Sequence, residues 1–307
     1  MMQLQYHRGK NFGDQLNPFI FHHFLPGYFE ENGEGVHFLG IGSILGFAQK
    51  YVGKKIVFSS GFGDGAKSTY GSLPEDWSSF DIISVRGPLT AALIGLDDDH
   101  WVTDGAILLA GMPLQIQARP KQISFMPHLG SEAFYDHELL CRQLGWQFIS
   151  PSESVEVVLE KIANSSFLVT EAMHGAIVAD TLRVPWIPYV GFGTINSFKW
   201  KDWCASMELA YSPHFLKPFY SDEKLGELIE LKWKLKSGGI LHRLVWSLGK
   251  WRMRQNWRNN KTLLKEIAIK ENTYLSEDSL FEKRLKQMMS KIEWFKKKYP
   301  LRDGIEE

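Results

Sequence analysis

The chain has 307 residues, 44% of them hydrophobic and 23% charged, which indicates a well-buried globular protein with room for two domains of ordinary size. Its 35 Lys+Arg balance its 35 Asp+Glu, but unevenly: residues 1–231 hold 16 and 26, residues 232–307 hold 19 and 9, so a basic terminal segment on an acidic body suggests an anionic partner for that segment. Two cysteines far apart, Cys141 and Cys204, exclude a disulfide or cysteine-metal framework and read as buried reduced thiols; no apolar run reaches the roughly 20 residues needed to cross a bilayer, and residues 1–24 lack a signal-peptide pattern, so a cytoplasmic protein is expected.

Leu4 to His7 reads as a first strand, Arg8 to Asp14 as a loop, and Gln15 to Leu25 as a helix with Leu16, Phe19, Ile20 and Phe24 on its apolar face. Asp14 is placed as the N-cap of that helix. Val36–Leu39 and Lys54–Ser59 are further strands. Gly40-Ile41-Gly42-Ser43 between them reads as a tight turn that lets backbone approach a ligand. It lacks the third glycine and the acidic residue of a dinucleotide fingerprint. Ser60 to Gly65 is a second glycine-rich loop. After the strand Phe80–Val85 comes Arg86-Gly87-Pro88, whose proline is preset for the first turn of a helix running to Leu96. An arginine at a strand's carboxyl end suits a bidentate grip on a carboxylate or phosphate; the alternative is a structural salt bridge to one of the body's acids. Asp104 is either functional or a cap on the turn at Ala106. The Gly, Pro and polar residues between 110 and 121 place a domain boundary.

Gln122–Met126 opens a second sheet, followed by Pro127-His128, a helix over 131–144, a strand over 147–150 and a helix over 154–164 with Ser152 and Ser154 as N-caps. Phe167–Thr170 is an apolar strand; Glu171 to Gly175 turns the chain; Ala176–Arg183 is a helix with Arg183 in its last turn, ended by Pro185; Trp186–Val190 is the next strand. This is a β-loop-α-β unit of the kind that builds parallel sheets. Its loop puts His174 at a strand's carboxyl end and a helix's amino end, where open α/β sheets bind ligands and free N–H groups favour anions. The alternative for a lone histidine is a helix cap or a satisfied core residue. Lys199 is either a site cation or a surface lysine on an amphipathic helix that buries Trp200 and Trp203. From Ser221 the chain turns to helices rich in Lys, Arg and Trp. Ile240–Arg258 mixes Leu, Val and three tryptophans (Trp246, Trp251, Trp257) with five Arg/Lys, which suits either an anionic bilayer surface or packing on the acidic body. No recognised nucleic-acid motif accompanies it, so no nucleic-acid partner is expected.

Several of these segments recur together elsewhere. Asn11-Phe12-Gly13-Asp14, Arg86-Gly87-Pro88, the Asp104–Leu109 segment, Pro127-His128, and Thr170-Glu171-Ala172-Met173-His174-Gly175 with its following V-P-x-I strand resemble, in order and spacing, the polysaccharide pyruvyl transferase family. The resemblance covers residues 5–210 and leaves the basic tail outside. It departs at Ala172, where many members carry an arginine that binds phosphoenolpyruvate. Lys199, in a family-like Ser197-x-Lys199 segment, is the candidate replacement.

The resemblance implies an α/β fold of two Rossmann-like domains facing a cleft (GT-B-like), residues 1–118 and 119–220, with a basic helical extension over 221–307. It implies transfer of pyruvate from phosphoenolpyruvate to two hydroxyls of a sugar in a lipid-linked exopolysaccharide subunit, giving a cyclic ketal, with neither cofactor nor metal. His174 is then the acid or phosphate contact, Asp14 or Glu171 the base, and Arg86 with Lys199 the grip on the donor's anions. Arg8, Lys10, Asn11, Gly13, Asp104, His128, Gly175 and Ser197 complete the cleft. An acceptor carried on a lipid implies peripheral association with the inner leaflet. The other expectations kept open are a nucleotide-sugar glycosyltransferase of the same architecture and a non-catalytic, membrane-docked subunit of polysaccharide assembly.

Overall fold

The computed structural model describes residues 1–31, 33, 35–64, 67–191, 195–233, 239–270 and 272–301. Gly65 of the second glycine-rich loop and residues 192–194 ahead of Lys199 lie outside them. Strands β1 (Gln3–Gln5), β2 (Val36–Leu39), β3 (Lys54–Val57) and β4 (Phe80–Ile82) form a parallel sheet in chain order. Strands β5 (Gln122–Met126), β6 (Gln147–Phe148), β7 (Ser165–Thr170), β8 (Trp186–Val190) and β9 (His214–Phe215) form a second parallel sheet in the order β6-β5-β7-β8-β9. Phe38 pairs with Ile56 in the first sheet, and Leu168 with Trp186 in the second. The inner strands are buried along nearly their whole length, as parallel strands covered on both faces must be. Around the sheets run α1 (Phe12–Phe24), α2 (Lys67–Tyr70), α3 (Pro88–Leu93), α4 (Leu129–Glu132), α5 (His137–Leu144), α6 (Val155–Ala163), α7 (Met173–Thr181), α8 (Ser197–Ser206), α9 (Asp222–Trp233), α10 (Ile240–Lys270) and α11 (Asp278–Lys298).

The order of the second sheet creates its binding edge. β6 lies to one side of β5, while β7, β8 and β9 lie to the other. The connections therefore leave β5 and β7 in opposite directions and open a crevice beyond their carboxyl ends. His128 follows β5 and the Glu171–His174 stretch follows β7, so both enter at that crevice.

The first sheet contributes α1, which differs from expectation in its start. Asn11, three residues ahead of Asp14, is the N-cap: its Oδ1 accepts the Gly13 N–H at 3.2 Å. Pro18 sits inside the helix, and its missing N–H leaves the Asp14 carbonyl without a helical donor. Asn17 fills that vacancy, donating from Nδ2 to the Asp14 carbonyl at 3.1 Å. The same amide group bonds both backbone atoms of Ile41, at 3.0 and 2.8 Å, tying α1 to the turn after β2. A side chain on Gly40 would overlap Phe21 and Asn17 of α1, so the glycine in that turn serves helix packing.

Other boundaries moved as well: the strands expected over Leu4–His7, Lys54–Ser59 and Phe80–Val85 are β1, β3 and β4 with the shorter or shifted ranges above, and α3 ends at Leu93 rather than Leu96. The predicted helix over 131–144 is broken into α4 and α5, with Asp136 capping α5. α7 starts at Met173, so His174 and Gly175 lie in its first turn, and it ends at Thr181. Arg183 is left-handed at φ 56° and lies beyond the helix; it bonds Ser276 and Asp278 and stacks on Phe281, fastening α11. Both cysteines are buried and free.

One continuous core joins the halves: Phe38 and Phe58 near the first sheet, Ile177 and Trp186 by the second, and Met288, Ile292 and Phe295 of α11. Phe295 lies 5.4 Å from Phe38 and 6.4 Å from Phe58, ring centre to ring centre. The last helix of the basic tail therefore returns to the first sheet. A second cluster holds Phe125, Tyr189 and Phe219 with Leu264 and Ile267 of α10.

Candidate active site

The carboxyl ends of the two sheets meet through α1 and α7. The Phe12 N–H donates to the Pro151 carbonyl at 2.9 Å, joining the start of α1 to the loop after β6. Gly13, one residue on, lies against His174; a Cβ there would overlap the imidazole. Gly175 packs on Thr170 and Met126 with the same absence of room, which seats the first turn of α7 on the sheet. Ala172 caps α7 without a side-chain bond, so the amides of that turn point into the crevice without a side-chain acceptor from the cap.

His174 faces an acid from the other half. Its Nε2 is 3.7 Å from Oδ2 of Asp104, a fully buried residue. Asp104 Oδ1 accepts the Ala106 N–H at 3.0 Å, so this aspartate both caps the turn after it and aims its second oxygen at the histidine. Among the described residues, neither Asp104 Oδ2 nor His174 Nε2 has a hydrogen-bond partner, although both are buried. Such orphaned atoms are rare in folded proteins and mark places where a third group belongs.

Asp14 and Lys199 close the cluster. Asp14 Oδ2 accepts from Asn11 Nδ2 at 2.7 Å. Burial raises its pKa above the ordinary 3.8, against the opposing pull of His174, His7 and Lys199. Lys199 lies in the first turn of α8, which is capped by Asn196. Burial, and then the neighbouring Arg86 charge, push its ammonium down to about 8, while Asp14 pulls it up. His128 Nδ1 accepts the Gly130 N–H at 3.0 Å. Burial, and then Lys199, hold its pKa at about 4, so the ring is neutral and carries its proton on Nε2. A half-buried lysine beside Asp14 and His128, with His174 also acting on Asp14, is a site for an anion that also needs proton transfer.

Other expected site residues are placed differently. Arg86 is fully buried and takes the salt-bridge alternative: its guanidinium donates to Asp202 Oδ2 at 3.0 Å, Ser43 Oγ at 2.8 Å and the Phe62 carbonyl at 2.8 Å. Asp202 also accepts from Thr90 N–H at 2.9 Å and Thr90 Oγ1 at 2.6 Å, so it caps α3 from α8. Glu171 is fully buried as well. It accepts from the His128 N–H at 3.1 Å, the Gly191 N–H at 2.7 Å and the Ser131 hydroxyl, and so holds the loops after β5 and β8 together. A base for a substrate hydroxyl needs an open face, which this carboxylate does not present. Arg8 and Lys10 are exposed, Arg8 lying 3.9 Å from Glu31. Ser197 is exposed at the first position of α8.

Two participants were not singled out from the sequence. His7, exposed just beyond β1, acts on Asp14; its place directly before the Arg8–Asp14 loop was the available signal. Asp202 gave none, because an acid among lysines on an amphipathic helix reads as part of a solvated face. A surface cleft of about 1040 Å³ lies away from this cluster, between α11 and the Asp98–Val102 loop, and is the seam along which the last helix docks.

This site, built on two parallel sheets, belongs to a family with a sequence signature. The model of the polysaccharide pyruvyl transferase family matches residues 27–190, more than half of the chain, and the chain belongs to that family. The matched range takes in Arg86, Asp104, His128, Glu171 and His174. The chain is also 38% identical over 208 residues to the succinoglycan biosynthesis protein ExoV of Rhizobium meliloti (strain 1021). That alignment covers 66% of this chain and 63% of the relative, so it spans less than two thirds of the relative's length. No solved structure matches the chain at a significant level.

Proposed function

We propose that this protein transfers pyruvate from phosphoenolpyruvate to two hydroxyls of one sugar in an exopolysaccharide subunit, forming a cyclic ketal and releasing phosphate. The observation that carries this reading is the convergence of Asp14, Asp104, His174 and Lys199 where the two sheets meet, in a chain of the pyruvyl transferase family. The relative's role in succinoglycan biosynthesis supports the exopolysaccharide setting.

The chemistry assigns each group a task. Lys199 and the first-turn amides of α7 bind the donor's phosphate and carboxylate, which compensates for Ala172 in place of the family arginine. His174, oriented by Asp104, gives a proton to the methylene carbon, which becomes the methyl group and leaves the adjoining carbon electrophilic. The first sugar hydroxyl adds there and passes its proton to Asp14, whose burial makes it a stronger base than an exposed carboxylate. The C–O bond to phosphate breaks, and the second hydroxyl closes the ring as its proton goes to His174. The proton on Asp14 leaves with phosphate, so both side chains return to their starting states.

That the chain forms two separate parallel sheets, one on each side of residue 118, supports a GT-B-like division there, with the acceptor entering between them. An acceptor on a lipid carrier places the protein at the inner leaflet as a peripheral enzyme. The test is incubation of the purified chain with phosphoenolpyruvate and lipid-linked oligosaccharide, against a panel of nucleotide sugars. Acceptor-dependent phosphate release supports the proposal. Nucleotide release would make the protein a glycosyltransferase, and no turnover with any donor would make it a non-catalytic assembly subunit.

A further inference from the structure

We propose that the outward face of the first half of α10 docks on a bilayer surface rich in anionic phospholipid. The three tryptophans of this segment do different things. Trp257 packs on Phe219 with ring centres 5.7 Å apart and donates from Nε1 to Gln143 at 3.0 Å. Trp246 lies over Gly226 of α9. Both are spent on the protein. Trp251 is 62% exposed, and it shares that exposure with Leu241, Leu244 and Leu248, each 58–67% exposed. Steps of three, four and three residues put these four side chains in one line along the helix, opposite the side that buries Asn256, Asn260 and Leu264. A row of three leucines and a tryptophan in water is an apolar patch that calls for a partner.

The surrounding charge says which partner. Arg243, Arg252, Arg254 and Arg258 are all exposed on the same helix. No Asp or Glu occurs from Ile240 to Lys265. Lys250 is not part of the face, since it pairs with Asp222 at 2.6 Å. Within the first half of α10 the apolar stripe is accompanied by four exposed arginines and no acid, the exposed acids Glu223, Glu227 and Glu230 lying on the neighbouring α9. The charge of the helix segment itself matches an anionic headgroup layer over acyl chains. It does not match a second copy of itself, which would set arginines against arginines. The stripe spans two seven-residue steps, 241 to 248 and 244 to 251, short of the three to four heptads that sustain a coiled coil.

The position also leads toward the carboxyl edge of the second sheet. Leu248 lines a groove of about 510 Å³ between α9 and α10 that ends at Pro218. Pro218 borders a second groove, of about 570 Å³, beside Gly191, Ser197 and the 71%-exposed Phe215. An apolar path therefore leads from the docking face toward the carboxyl ends of β8 and β9. The face is defined without reference to the reaction; only its purpose, meeting a lipid-linked acceptor, rests on the proposed function.

The test is co-sedimentation of the full chain with vesicles of phosphatidylcholine alone and of phosphatidylcholine mixed with phosphatidylglycerol, at low and physiological salt. The wild-type chain should bind the mixed vesicles at low salt, less at physiological salt, and the neutral ones weakly; this comparison needs no variant. Leu244→Ser/Leu248→Ser/Trp251→Ser should abolish binding. Arg252→Gln/Arg254→Gln/Arg258→Gln should weaken it on the order of a hundredfold, since each cation near an anionic surface adds about fivefold. Both variants should keep the wild-type melting temperature and phosphate release with a soluble acceptor. No wild-type binding to anionic vesicles at low salt, or equal binding by all three chains, overturns the proposal. So does a concentration-dependent dimer, lost in the leucine variant, that binds no vesicles. Failure of vesicle binding with turnover intact removes this inference alone, and failure of turnover with vesicle binding intact removes the proposed reaction alone.

Discussion

Gly13 and His174 come from opposite halves of the chain and touch, with no room for a side chain between the start of α1 and the imidazole. The glycine sets how closely the first sheet's helix can approach the second sheet's histidine, and so how Asp14 and Asp104 are held around it. Its place in the Asn11-Phe12-Gly13-Asp14 segment thus has a steric cause: Asn11 caps the helix, Gly13 admits His174, and Asp14 turns into the cluster.

Gly13→Ala should therefore damage activity without damaging the fold. Alanine favours the helix by up to about 1 kcal/mol over glycine, which offsets part of the roughly 1–3 kcal/mol that crowding the ring costs. The methyl group displaces the His174 ring, and a displacement on the order of 1 Å costs about a hundredfold in rate. Expected is a loss of that order in kcat/KM for phosphoenolpyruvate with a melting temperature close to wild type. Full activity would mean that the ring position has no bearing on turnover.

Lys199 gives the site a pH limit. Its ammonium, lowered to about 8, is charged at neutral pH and holds the donor; as pH rises through about 8 the charge is lost and the KM for phosphoenolpyruvate should climb. Lys199→Met should raise that KM about tenfold to a hundredfold at pH 7, the range for a charge-assisted contact, and flatten the alkaline limb. Stability runs in the opposite sense. A lysine pKa below the ordinary 10.5 means the fold disfavours the charged form. That cost is fully present below about pH 8 and is relieved as pH rises toward 10.5. Lys199→Met should accordingly melt no lower than wild type at pH 7, by calorimetry across the same pH range.

The Arg86–Asp202 pair is expected to act mainly on stability. Arg86→Met leaves Asp202 buried without its counter-charge and should cost about 3–5 kcal/mol in urea unfolding. Arg86→Met/Asp202→Leu should lose less than the sum of the two single variants, because the stranded charge goes with its partner. An Arg86→Met protein with wild-type stability and only a raised KM would show that Arg86 is a donor ligand.

What the sequence made legible follows from the range of the interactions. The strands around His174 are continuous apolar runs, and Pro185 marks where α7 must have ended, so the β7–α7–β8 unit could be read locally. Ser154 as the cap of α6 was equally local. The start of α7 was not, because Ala172 offers no side-chain cap to mark it. Arg86 and Asp202 lie 116 positions apart, and no pattern near Arg86 shows which acid it meets. Glu171 looked like a base because a carboxylate beside His174 suits one, but its donors, His128 and Ser131 after β5 and Gly191 after β8, are brought together only by the fold. The tail shows the same limit: Trp246, Trp251 and Trp257 share one helix and one composition, and only the position of α9 and Phe219 separates the half-buried rings from the exposed one.

The most direct measurement is mass spectrometry of the products made by the wild-type chain and by His174→Ala from phosphoenolpyruvate and a lipid-linked oligosaccharide, with phosphate followed in parallel. The expected result is an oligosaccharide heavier by pyruvate less one water, one phosphate for each ketal, and a loss of about a hundredfold to ten-thousandfold for His174→Ala at unchanged melting temperature, the range for removal of a general acid or base. An unmodified acceptor with phosphoenolpyruvate untouched, or a His174→Ala chain that turns over like wild type, would contradict the account.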